Sequence, residues 1–539
     1  MGFQIKIRGT TSKAQHNVVF SRGSAFKGTR SSDLVCLQEY FSSVQSIDDF
    51  KARVESLNGY FCVICKQDNT LYAAVDRARS IPLFYGCTND EFYISDDACW
   101  IREKVNSVKR SEIAEQEFCM TGYVTNSDTL YPGVKQLRAG ELLIATLQCG
   151  SPSSRVDRYY DFINTGEYYP PDARELARQF DQVLMRSFER LLAFANGRTI
   201  AIPLSGGWDS RLVALMLTRL GYNNVIAFTY GRPGNLESEI SRRVANALNI
   251  EWHFVPYTNE LRNRWFWTDE RTSYYSMAHN LVSLPHSQDW PAVRELKKKG
   301  LIPATCVIVP GHTGDFLAGT TGIPKSFLTA GVIPSARIVD EIYNGHYSLR
   351  QLGKDALHIE ETMKQRILSQ LGVYENLSPE DAVAFYKRWV WQERQAKFIV
   401  NSVRVYEFWG YDWWIPLGDY EMRDFWTRVP IELRFDKRLY ITHIKHLADQ
   451  IVGAGSIDFH RTERDALVNQ LKKGLRLVPL RGLVTKAGRR LKRETVYEND
   501  PLASYGIMSK ETFLKYYDMG FRNINAYAAA YTIGLIDLP

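Results

Sequence analysis

The chain has 539 residues, of which 45% are apolar and 24% charged, and its formal net charge is +7. At roughly 100–200 residues per domain, this length predicts two or more globular domains. No apolar run reaches the ~20 residues of a membrane-spanning helix, and the start, Met1-Gly-Phe-Gln-Ile-Lys, has no signal-peptide architecture. These features argue against a membrane-spanning or secreted protein, and we predict a cytoplasmic one.

Residues 1–165 contain short apolar runs separated by Asn- and Gly-bearing turns, which predicts a mostly antiparallel sheet. A helix is predicted from Ser111 to about Thr121, and Gly150-Ser-Pro-Ser-Ser is interpreted as the trailing edge of this domain. Cys62 and Cys65 stand three apart in a predicted strand, so they should face opposite sides and cannot share a metal. The predicted strands are Asn17–Phe20, Tyr60–Cys65, Leu71–Asp76, Leu83–Gly86, Phe92–Ser95 and Glu141–Ala145.

From residue 172 onwards, helical patterns alternate with near-continuous apolar strands. Helices are predicted for residues 172–194, 209–220 and 238–248, and strands for Thr199–Leu204, Asn224–Tyr230, Trp252–Val255 and the run from Cys306. This alternation predicts a doubly wound parallel α/β domain, whose ligands bind at the carboxyl ends of the strands. The remainder of the chain, to Pro539, is predicted to be largely helical.

The loop Ser205-Gly-Gly-Trp-Asp-Ser210 joins the first of these strands to its helix. Its two glycines allow a tight turn, and the helix N-terminus behind them presents free N–H groups to an anion. The Gly-x4-Gly-Lys spacing of a Walker loop is absent, so Asp209 would instead serve as an oxygen ligand for Mg²⁺ on a polyphosphate. An ordinary capped turn between a strand and a helix is the alternative interpretation.

A second glycine-bearing turn, Gly311-His-Thr-Gly-Asp315, follows the strand predicted at Cys306. The carboxyl ends of parallel strands meet at one edge of the sheet, so Asp315 can place a second carboxylate on the Mg²⁺ bound by Asp209. The alternative is a plain surface turn.

Ser205 to Ser210 matches the Ser-Gly-Gly-x-Asp-Ser pattern of the PP-loop ATP pyrophosphatases at every fixed position. In the order of its motifs, nearly the whole chain resembles the asparagine synthetase family. The other motifs are Asn58-Gly-Tyr-Phe-Cys-Val-Ile, Val75-Asp-Arg-Ala-Arg-Ser-Ile-Pro-Leu-Phe-Tyr, Thr129-Leu-Tyr-Pro-Gly-Val-Lys-Gln-Leu-Arg-Ala-Gly-Glu, Gly311 to Asp315, and Pro416-Leu-Gly-Asp419.

This resemblance implies a fold of two domains, α+β followed by α/β. Residues 1–165 would form a degenerate glutaminase-like (Ntn-type) antiparallel β-sandwich with flanking helices. Residues 170–539 would form the PP-loop synthetase domain, a doubly wound parallel α/β domain with a largely helical C-terminal part.

The departures from the family pattern bear on activity. Glutamine-using members begin, once Met is removed, with a Cys whose thiolate attacks the glutamine amide. Here that position is Gly2, so the resemblance implies a domain without glutaminase activity. In the second turn Thr313 replaces a Gly and Phe316 replaces a Glu, while Asp315 is kept. The synthetase half is therefore expected to be active and the N-terminal half to be a scaffold.

The resemblance implies an amide ligase that uses ATP and Mg²⁺. A substrate carboxylate would attack the α-phosphate, pyrophosphate would leave, and an amine would displace AMP. The implied catalytic residues are Asp209 and Asp315, which are also the metal ligands, together with a C-terminal Lys, for which we choose Lys486 and for which Lys492 is equally defensible. The implied ATP-binding residues are Leu204, Ser205, Gly206, Gly207, Asp209, Ser210, Phe228 and Gly311.

Lys486 lies in a basic segment, residues 472–493, that carries nine Lys or Arg residues and no acid. A solvated basic face is one interpretation of this segment. A contact with anionic phosphates, lipid head groups or nucleic acid is the other.

Without the nucleophilic Cys, the amine must be free ammonia, ammonia from a partner, an amine co-substrate or an amine of the same molecule. Family branches without the Cys include β-lactam and carbapenam synthetases and lasso-peptide cyclases, and others amidate uronic acids of surface polysaccharides. The stretches Leu284-Pro-His-Ser-Gln-Asp-Trp-Pro-Ala-Val and Val309-Pro-Gly-His-Thr-Gly-Asp resemble the last group most. The candidate substrate residues are Arg232, Glu237, His286 and Gln288.

Two interpretations from other classes stay open. A tRNA-modifying PP-loop enzyme would suit the basic segment, but it predicts an early loop and sulfur-handling cysteines, whereas only Cys306 follows Ser205. A non-catalytic synthetase-like scaffold is the second, and the intact loop with Asp315 argues against it. The expected partners are a small-molecule or glycan carboxylate and an amine donor rather than nucleic acid, with a homo-oligomer left open.

Overall fold

The computed structural model describes residues 2–8, 10–13, 17–28, 33–148, 151–164, 166–319, 323–350, 357–372, 376–454, 496–521 and 523–538. Within these ranges the chain forms three five-stranded sheets, one two-stranded sheet and the helices that cover them. No helix in these ranges has both the length and the apolar character to cross a bilayer.

The described residues up to 158 form two of the five-stranded sheets. Their strands are β1 (Gly2–Ile7), β2 (Thr10–Lys13), β3 (Val18–Lys27), β4 (Leu57–Gln67), β5 (Thr70–Val75), β6 (Phe84–Cys87), β7 (Glu91–Ser95), β8 (Lys135–Gln136), β9 (Glu141–Gln148) and β10 (Ser151–Arg158). The first sheet has the order β2-β1-β7-β6-β8 and is antiparallel except between β1 and β7. The second has the order β10-β9-β5-β4-β3 and is antiparallel throughout.

These two sheets pack face to face, and helices cover their outer faces. One apolar core joins the facing sides of both sheets, with Ile5 from the first and Ile64 from the second. The opposite side of the second sheet packs on α1 (Leu37–Ser42) and α2 (Ile47–Glu55), and that of the first on α3 (Ala98–Lys104) and α4 (Glu112–Thr121). The arrangement is a β-sandwich flanked by helices on both outer faces.

The alternation of β4 places its two cysteines as predicted. Cys62 lies in the core between the sheets, whereas Cys65 lies in the core beneath α1 and α2. Both thiols are buried, and burial raises the pKa of each to about 12. They are core side chains on opposite faces of one strand.

The structure corrects two expectations for this part of the chain. Residues 151–154, interpreted as the trailing edge of the domain, belong to strand β10, which pairs with β9 from Ser151↔Gln148 to Arg158↔Glu141. β10 is an edge strand and exposes most of its side chains, so its polar sequence resembles that of a loop. Pro152 is tolerated there because proline is found in edge strands. The strand predicted at residues 17–20 runs from Val18 to Lys27, and β1 and β2 were missed.

A parallel five-stranded sheet forms the core of the C-terminal part, as predicted. Its strands are β11 (Ile200–Pro203), β12 (Val225–Gly231), β13 (Glu251–Pro256), β14 (Val307–Ile308) and β17 (Asp412–Trp413), in the order β13-β12-β11-β14-β17. The chain builds from β11 through β12 to β13 and then continues on the other side of β11 with β14. The direction of winding therefore reverses between β11 and β14, which is where open parallel sheets bind ligands.

Helices account for most of the remaining described residues. They are α5 (Ala173–Ala195), α6 (Trp208–Arg219), α7 (Leu236–Ala247), α8 (Asn259–Phe266), α9 (Asp269–His279), α10 (Trp290–Lys298), α11 (Gly314–Ala318), α12 (Ser326–Thr329), α13 (Ser335–His346), α14 (Leu357–Leu371), α15 (Pro379–Val390), α16 (Arg404–Phe408), α17 (Tyr420–Arg428), α18 (Ile431–Arg434), α19 (Arg438–Val452), α20 (Lys510–Asp518) and α21 (Ile524–Thr532). Wide π turns, Trp391–Ile399, extend α15, and β15 (Ile333–Pro334) pairs with β16 (Asn376–Leu377).

The junction between the two parts brings together two motifs that are far apart in sequence. Asn58 Nδ2 in β4 donates to both carboxylate oxygens of Asp419, at 3.1 and 3.2 Å. Asp419 also begins α17 as its N-cap and forms a buried pair with Arg190 of α5, at 2.9 Å. The Asn58 and Asp419 motifs therefore form one buried contact between the sandwich and the parallel sheet domain.

Candidate functional site

The loop Ser205–Ser210 turns from the end of β11 into α6. Gly207 is the N-cap residue of α6 and has an extended conformation, so the first N–H groups of the helix point toward the loop. The hydroxyls of Ser205 and Ser210 lie 3.0 Å apart, and the Ser205 N–H donates to Ser210 Oγ at 3.0 Å. The loop is thus closed on itself by its two serines.

The second turn approaches this loop so closely that only glycine fits at two of its positions. A Cβ on Gly311 would lie 2.5 Å from the backbone nitrogen of Ser210. A Cβ on Gly314 would lie 2.6 Å from the Tyr440 hydroxyl and 3.0 Å from Asp209 Cγ. Close backbone approach therefore explains both glycines.

Asp209 and Asp315 meet between the two turns. The Asp315 N–H donates to Asp209 Oδ2 at 2.8 Å, and the Tyr440 hydroxyl of α19 donates to Asp209 Oδ1 at 2.8 Å. The Asp315 side chain is 51% exposed, and Lys437 Nζ lies 2.9 Å from its Oδ2. Burial first, and then the Asp315 carboxylate, raise the pKa of Asp209 to about 7.

These residues fit a Mg²⁺ ion that arrives on a polyphosphate. Carboxylate oxygens are the ligands that Mg²⁺ prefers, and Asp209 and Asp315 bring two of them together between the turns. In the described part of the chain no three His, Cys, Asp or Glu side chains converge as a metal cage. Two carboxylates leave the other positions to phosphate oxygens and water, as is usual for Mg²⁺.

Thr313 and Phe316 are the positions where the second turn departs from the family pattern. Thr313 has φ +78°, in the left-handed region that a glycine adopts without strain, and its buried hydroxyl has no hydrogen-bond partner. Phe316 packs between Phe162 and Trp391, with ring centroids 5.8 and 6.1 Å away. The backbone keeps the glycine-like turn, while the Glu position has become part of an apolar cluster.

A buried lysine closes α11 behind Phe316. Lys387 Nζ donates to the carbonyls of Leu317 and Gly319 at 2.8 and 2.9 Å and lies 5.0 Å from the centre of the Phe316 ring. Burial, and then Arg434, lower the pKa of Lys387 well below its usual value. Lys387 therefore stabilises the end of α11, the short helix that begins in the second turn.

Glu237 is the one candidate substrate residue that contacts the loop directly. The Gly206 N–H donates to Glu237 Oε2 at 2.5 Å, so a carboxylate of the chain accepts from an N–H that a phosphate would use. Leu204 directly follows β11, and Phe228 lies in the middle of β12. Both side chains are buried, and the Leu204 N–H donates to the Phe228 carbonyl at 2.9 Å.

The other substrate candidates lie apart from the loop. Arg232 is bonded to the Asp500 carbonyl and to Asn259 Oδ1, at 2.8 and 2.7 Å, so it anchors the segment near residue 500. Gln288 is exposed, and its backbone carbonyl accepts a hydrogen bond from the Tyr257 hydroxyl at 2.7 Å. These contacts give Arg232 and Gln288 structural partners away from the two turns.

His286 lies near the second turn. Burial, and then His286, lower the pKa of His312 to about 3, and burial also lowers the pKa of His286. His286 Nε2 lies 3.8 Å from Asp289 Oδ1. Of the four candidates, Glu237 is the one that the structure shows hydrogen-bonded to the loop.

Lys486, Lys492 and the basic segment lie outside the described residues. Sequence reasoning also missed Tyr440, Lys437 and Lys387, which contact the two turns from the C-terminal helices. They follow the loop by more than a hundred residues and belong to no glycine or carboxylate motif. A sequence pattern could not have found them, because only folding brings α15 and α19 to this edge of the sheet.

The fold and the two turns define an α/β protein with a candidate ligand site at the switch point of its parallel sheet. Residues 179–270 match the family model described as asparagine synthase. A probable asparagine synthetase [glutamine-hydrolyzing] of Acanthamoeba polyphaga mimivirus is 24% identical over 239 residues, which cover 42% of this chain and 40% of the relative. These matches support the asparagine synthetase family, as the motifs indicate.

Two solved structures also resemble parts of the chain. One is an NH3-dependent NAD synthetase from Campylobacter jejuni, 14% identical, with a TM-score of 0.20 over 40% of this chain and 93% of that one. The other is a glutamine phosphoribosylpyrophosphate amidotransferase from B. subtilis, 12% identical, with a TM-score of 0.19 over 45% of this chain and 71% of that one. Similarity this low carries no argument about this protein.

Proposed function

We propose that this protein is an ATP-dependent amide ligase of the asparagine synthetase type, which adenylates a substrate carboxylate and releases pyrophosphate. The observation that carries the proposal is the meeting of Asp209 and Asp315 across an intact Ser-Gly-Gly-x-Asp-Ser loop. The Asp315 N–H lies 2.8 Å from Asp209 Oδ2, at the point where the winding of the sheet reverses. The match of residues 179–270 to the asparagine synthase model supports the same class.

In this proposal the two turns hold the phosphates. Asp209 and Asp315 would hold Mg²⁺, which supplies charge neutralisation for the pyrophosphate when bound there. The loop N–H groups of residues 205–209 and the hydroxyls of Ser205 and Ser210 would donate to the phosphate oxygens. The Gly206 N–H would exchange its bond with Glu237 for one with a phosphate.

The remaining roles follow from position. Leu204 and Phe228, which are hydrogen-bonded to each other through their backbones, would lie beside the adenine, and Gly311 would let the second turn approach the nucleotide. Lys437, 2.9 Å from Asp315, is a cation that the pyrophosphate could also contact. Lys486 stays our choice for the lysine that stabilises the charged intermediate.

We propose that the N-terminal sandwich does not hydrolyse glutamine. The residue at the start of β1 is Gly2, which has no side chain to act as a nucleophile. The amine would then be free ammonia, an amine co-substrate, an amine of the same molecule or ammonia from a partner. The stretches around His286 and Gly311 favour a uronic acid or another sugar carboxylate as the substrate.

The test is carboxylate-dependent ATP–pyrophosphate exchange with Mg²⁺ and no amine. The panel would contain uronic acids, nucleotide sugars, amino acids and a precursor-type peptide. Exchange with one carboxylate supports adenylation and identifies half of the reaction, and adding ammonia or glutamine then tests the amine source. A protein that binds ATP but exchanges with no member of the panel contradicts adenylation of these substrate classes and favours the scaffold interpretation.

A further inference from the structure

A small cavity away from the two turns is lined by two arginines and by other side chains that can donate hydrogen bonds. It measures about 20 Å³ and lies where α8, α9 and the start of α10 meet the segment around residue 507. Its lining includes Arg262, Arg271, Tyr275, Ser287 and Trp290. A cavity of this size accommodates one occupant of about the size of a water molecule.

Two of the lining side chains carry a buried donor that has no hydrogen-bond partner, and each of these side chains is more than nine-tenths buried. The two donors are Arg262 Nε and Trp290 Nε1. The Tyr275 hydroxyl accepts a hydrogen bond from Ser287 and keeps its own proton to donate. Buried donors in native proteins nearly always have partners, so these donors at one cavity point to an occupant that accepts.

The charge of the cavity points in the same direction. Arg262 and Arg271 are 5% and 7% exposed, and neither forms an ion pair with any described residue. Arg262 Nη1 donates to the Ser287 carbonyl at 3.0 Å, and Arg271 Nε donates to the Phe266 carbonyl at 2.6 Å. Carbonyl oxygens accept hydrogen bonds but do not neutralise two guanidinium groups.

Burying a charge is costly unless an opposite charge accompanies it. The buried Arg190 meets this requirement, because Asp419 lies 2.9 Å and Glu421 2.6 Å from its guanidinium nitrogens. A water molecule in the cavity would accept hydrogen bonds but would bring no negative charge to the two guanidinium groups. Their other contacts are carbonyl oxygens and the rings of Tyr257, Phe266 and Tyr275. A small anion would satisfy the orphan donors and the charge together.

From this geometry we infer that the cavity is a binding site for one small monovalent anion of chloride size. The site lies beyond the proposed function, since it shares no residue with the two turns. The anion would connect α8 and α9 with Ser287 and Trp290, which follow His286 in the chain. It therefore stabilises the folded protein.

The test is thermal unfolding of the full chain at constant ionic strength, with sodium chloride replacing sodium gluconate, whose anion is too large for the cavity. We expect a saturable rise of about 1–3 °C in Tm, because a ligand bound only by the folded state stabilises it. Arg262→Leu should abolish the rise. Tyr275→Phe, which removes one donor and keeps the ring, should weaken the apparent affinity for chloride several-fold.

Tyr411→Phe is the matched control, since the Tyr411 hydroxyl is also buried but lies outside the cavity. This variant should keep the full rise. Crystals grown in sodium bromide should show an anomalous peak within hydrogen-bond distance of Arg262 Nε and Trp290 Nε1. Equal Tm in both salts, an unchanged rise in Arg262→Leu, or a bromide peak only elsewhere would each overturn the inference.

Discussion

The two glycine-bearing turns of the candidate site hold their shape in different ways. The first, Ser205–Ser210, is closed by hydrogen bonds among its own residues and by the N-terminus of α6. The second, Gly311–Asp315, is held in place by contacts with residues outside the turn. Tyr440 and Leu417 lie against Gly314, the first turn lies against Gly311, and a short helix follows.

This difference explains why one turn keeps its sequence pattern and the other departs from it. In the first turn nearly every residue type is needed for a local hydrogen bond or for a ligand. In the second turn the surrounding packing over-determines the backbone, so a strained Thr313 and an apolar Phe316 are tolerated. Gly311 and Asp315 contact the first turn, and these two residues keep the family pattern.

The largest effect is expected for Asp209→Asn. The amide oxygen can still accept from the Asp315 N–H, and the amide NH2 can donate to the Tyr440 hydroxyl oxygen. The fold should therefore persist, whereas the metal loses a charged ligand. We expect ATP–pyrophosphate exchange to fall by about 10³-fold, in line with other charge-stabilising groups of active sites. Asp436→Asn, at a side chain that is 73% exposed, is the control. Full exchange in Asp209→Asn would contradict the proposed site.

Gly311→Ala tests whether the two turns must touch. A Cβ at this position would lie 2.5 Å from the Ser210 nitrogen, so one of the turns must move. We expect a loss of about 1–3 kcal/mol in the free energy of unfolding, as for other overpacked sites, and weaker nucleotide binding. Chemical denaturation measures the first effect, and Gly331→Ala, where a Cβ would meet nothing within 4 Å, is the control. Equal stability of the two variants would show that the turns need not be in contact.

The pH dependence of stability tests the pairing of the two carboxylates. The folded-state pKa of Asp209, about 7, lies above its ordinary value of 3.8. Its contribution to stability is therefore fully present below pH 4 and is lost as the pH rises through 7. In metal-free protein Tm should fall between pH 5 and pH 8, and this fall should be smaller in Asp209→Asn. Mg²⁺–ATP affinity should change in the opposite direction, since the metal needs the carboxylate form.

Thr313→Gly should stabilise the protein. The change removes a β-branched residue from the left-handed region and a buried hydroxyl without a partner. Strain of this kind costs on the order of 1–3 kcal/mol, partly offset by the entropy of glycine, so we expect a net gain of about 1 kcal/mol. Asn249→Gly, at an exposed residue with φ +51°, should change stability much less, because Asn tolerates this conformation. A destabilised Thr313→Gly protein would contradict the strain argument.

The smallest effect is expected for Glu237→Gln. The carboxylate accepts from the Gly206 N–H and would repel the phosphates that compete for it. Neutralising it should tighten nucleotide binding about three- to tenfold, as expected for removing one like charge near the protein surface. Isothermal titration with a non-hydrolysable ATP analogue measures the change. Glu239→Gln, an exposed residue of the same helix, should leave the affinity unchanged, and weaker binding in Glu237→Gln would favour a substrate role for Glu237.

Much of the fold could be predicted from the sequence because its signals are local. Apolar runs gave β11 to β14, and the stripe of Leu176, Phe180, Leu184 and Phe188 gave α5 almost to the residue. The edge strand β10 was missed because its polar, exposed sequence carries no such signal. β1 was missed although its buried Phe3, Ile5 and Ile7 alternate along the strand, and β2, Thr10–Lys13, contains no apolar residue.

The sequence by itself determined the loop Ser205–Ser210, Asp315 and the class of chemistry they suit, because these residues act through fixed spacing next to a strand end. Only the tertiary structure decided which distant residues join them. Tyr440 of α19 and Lys437, which precedes that helix, contact Asp209 and Asp315. Glu237 accepts a hydrogen bond from the Gly206 N–H, and Arg232 donates one to the Asp500 carbonyl. Such contacts depend on how helices pack over long sequence separations, which no local pattern encodes.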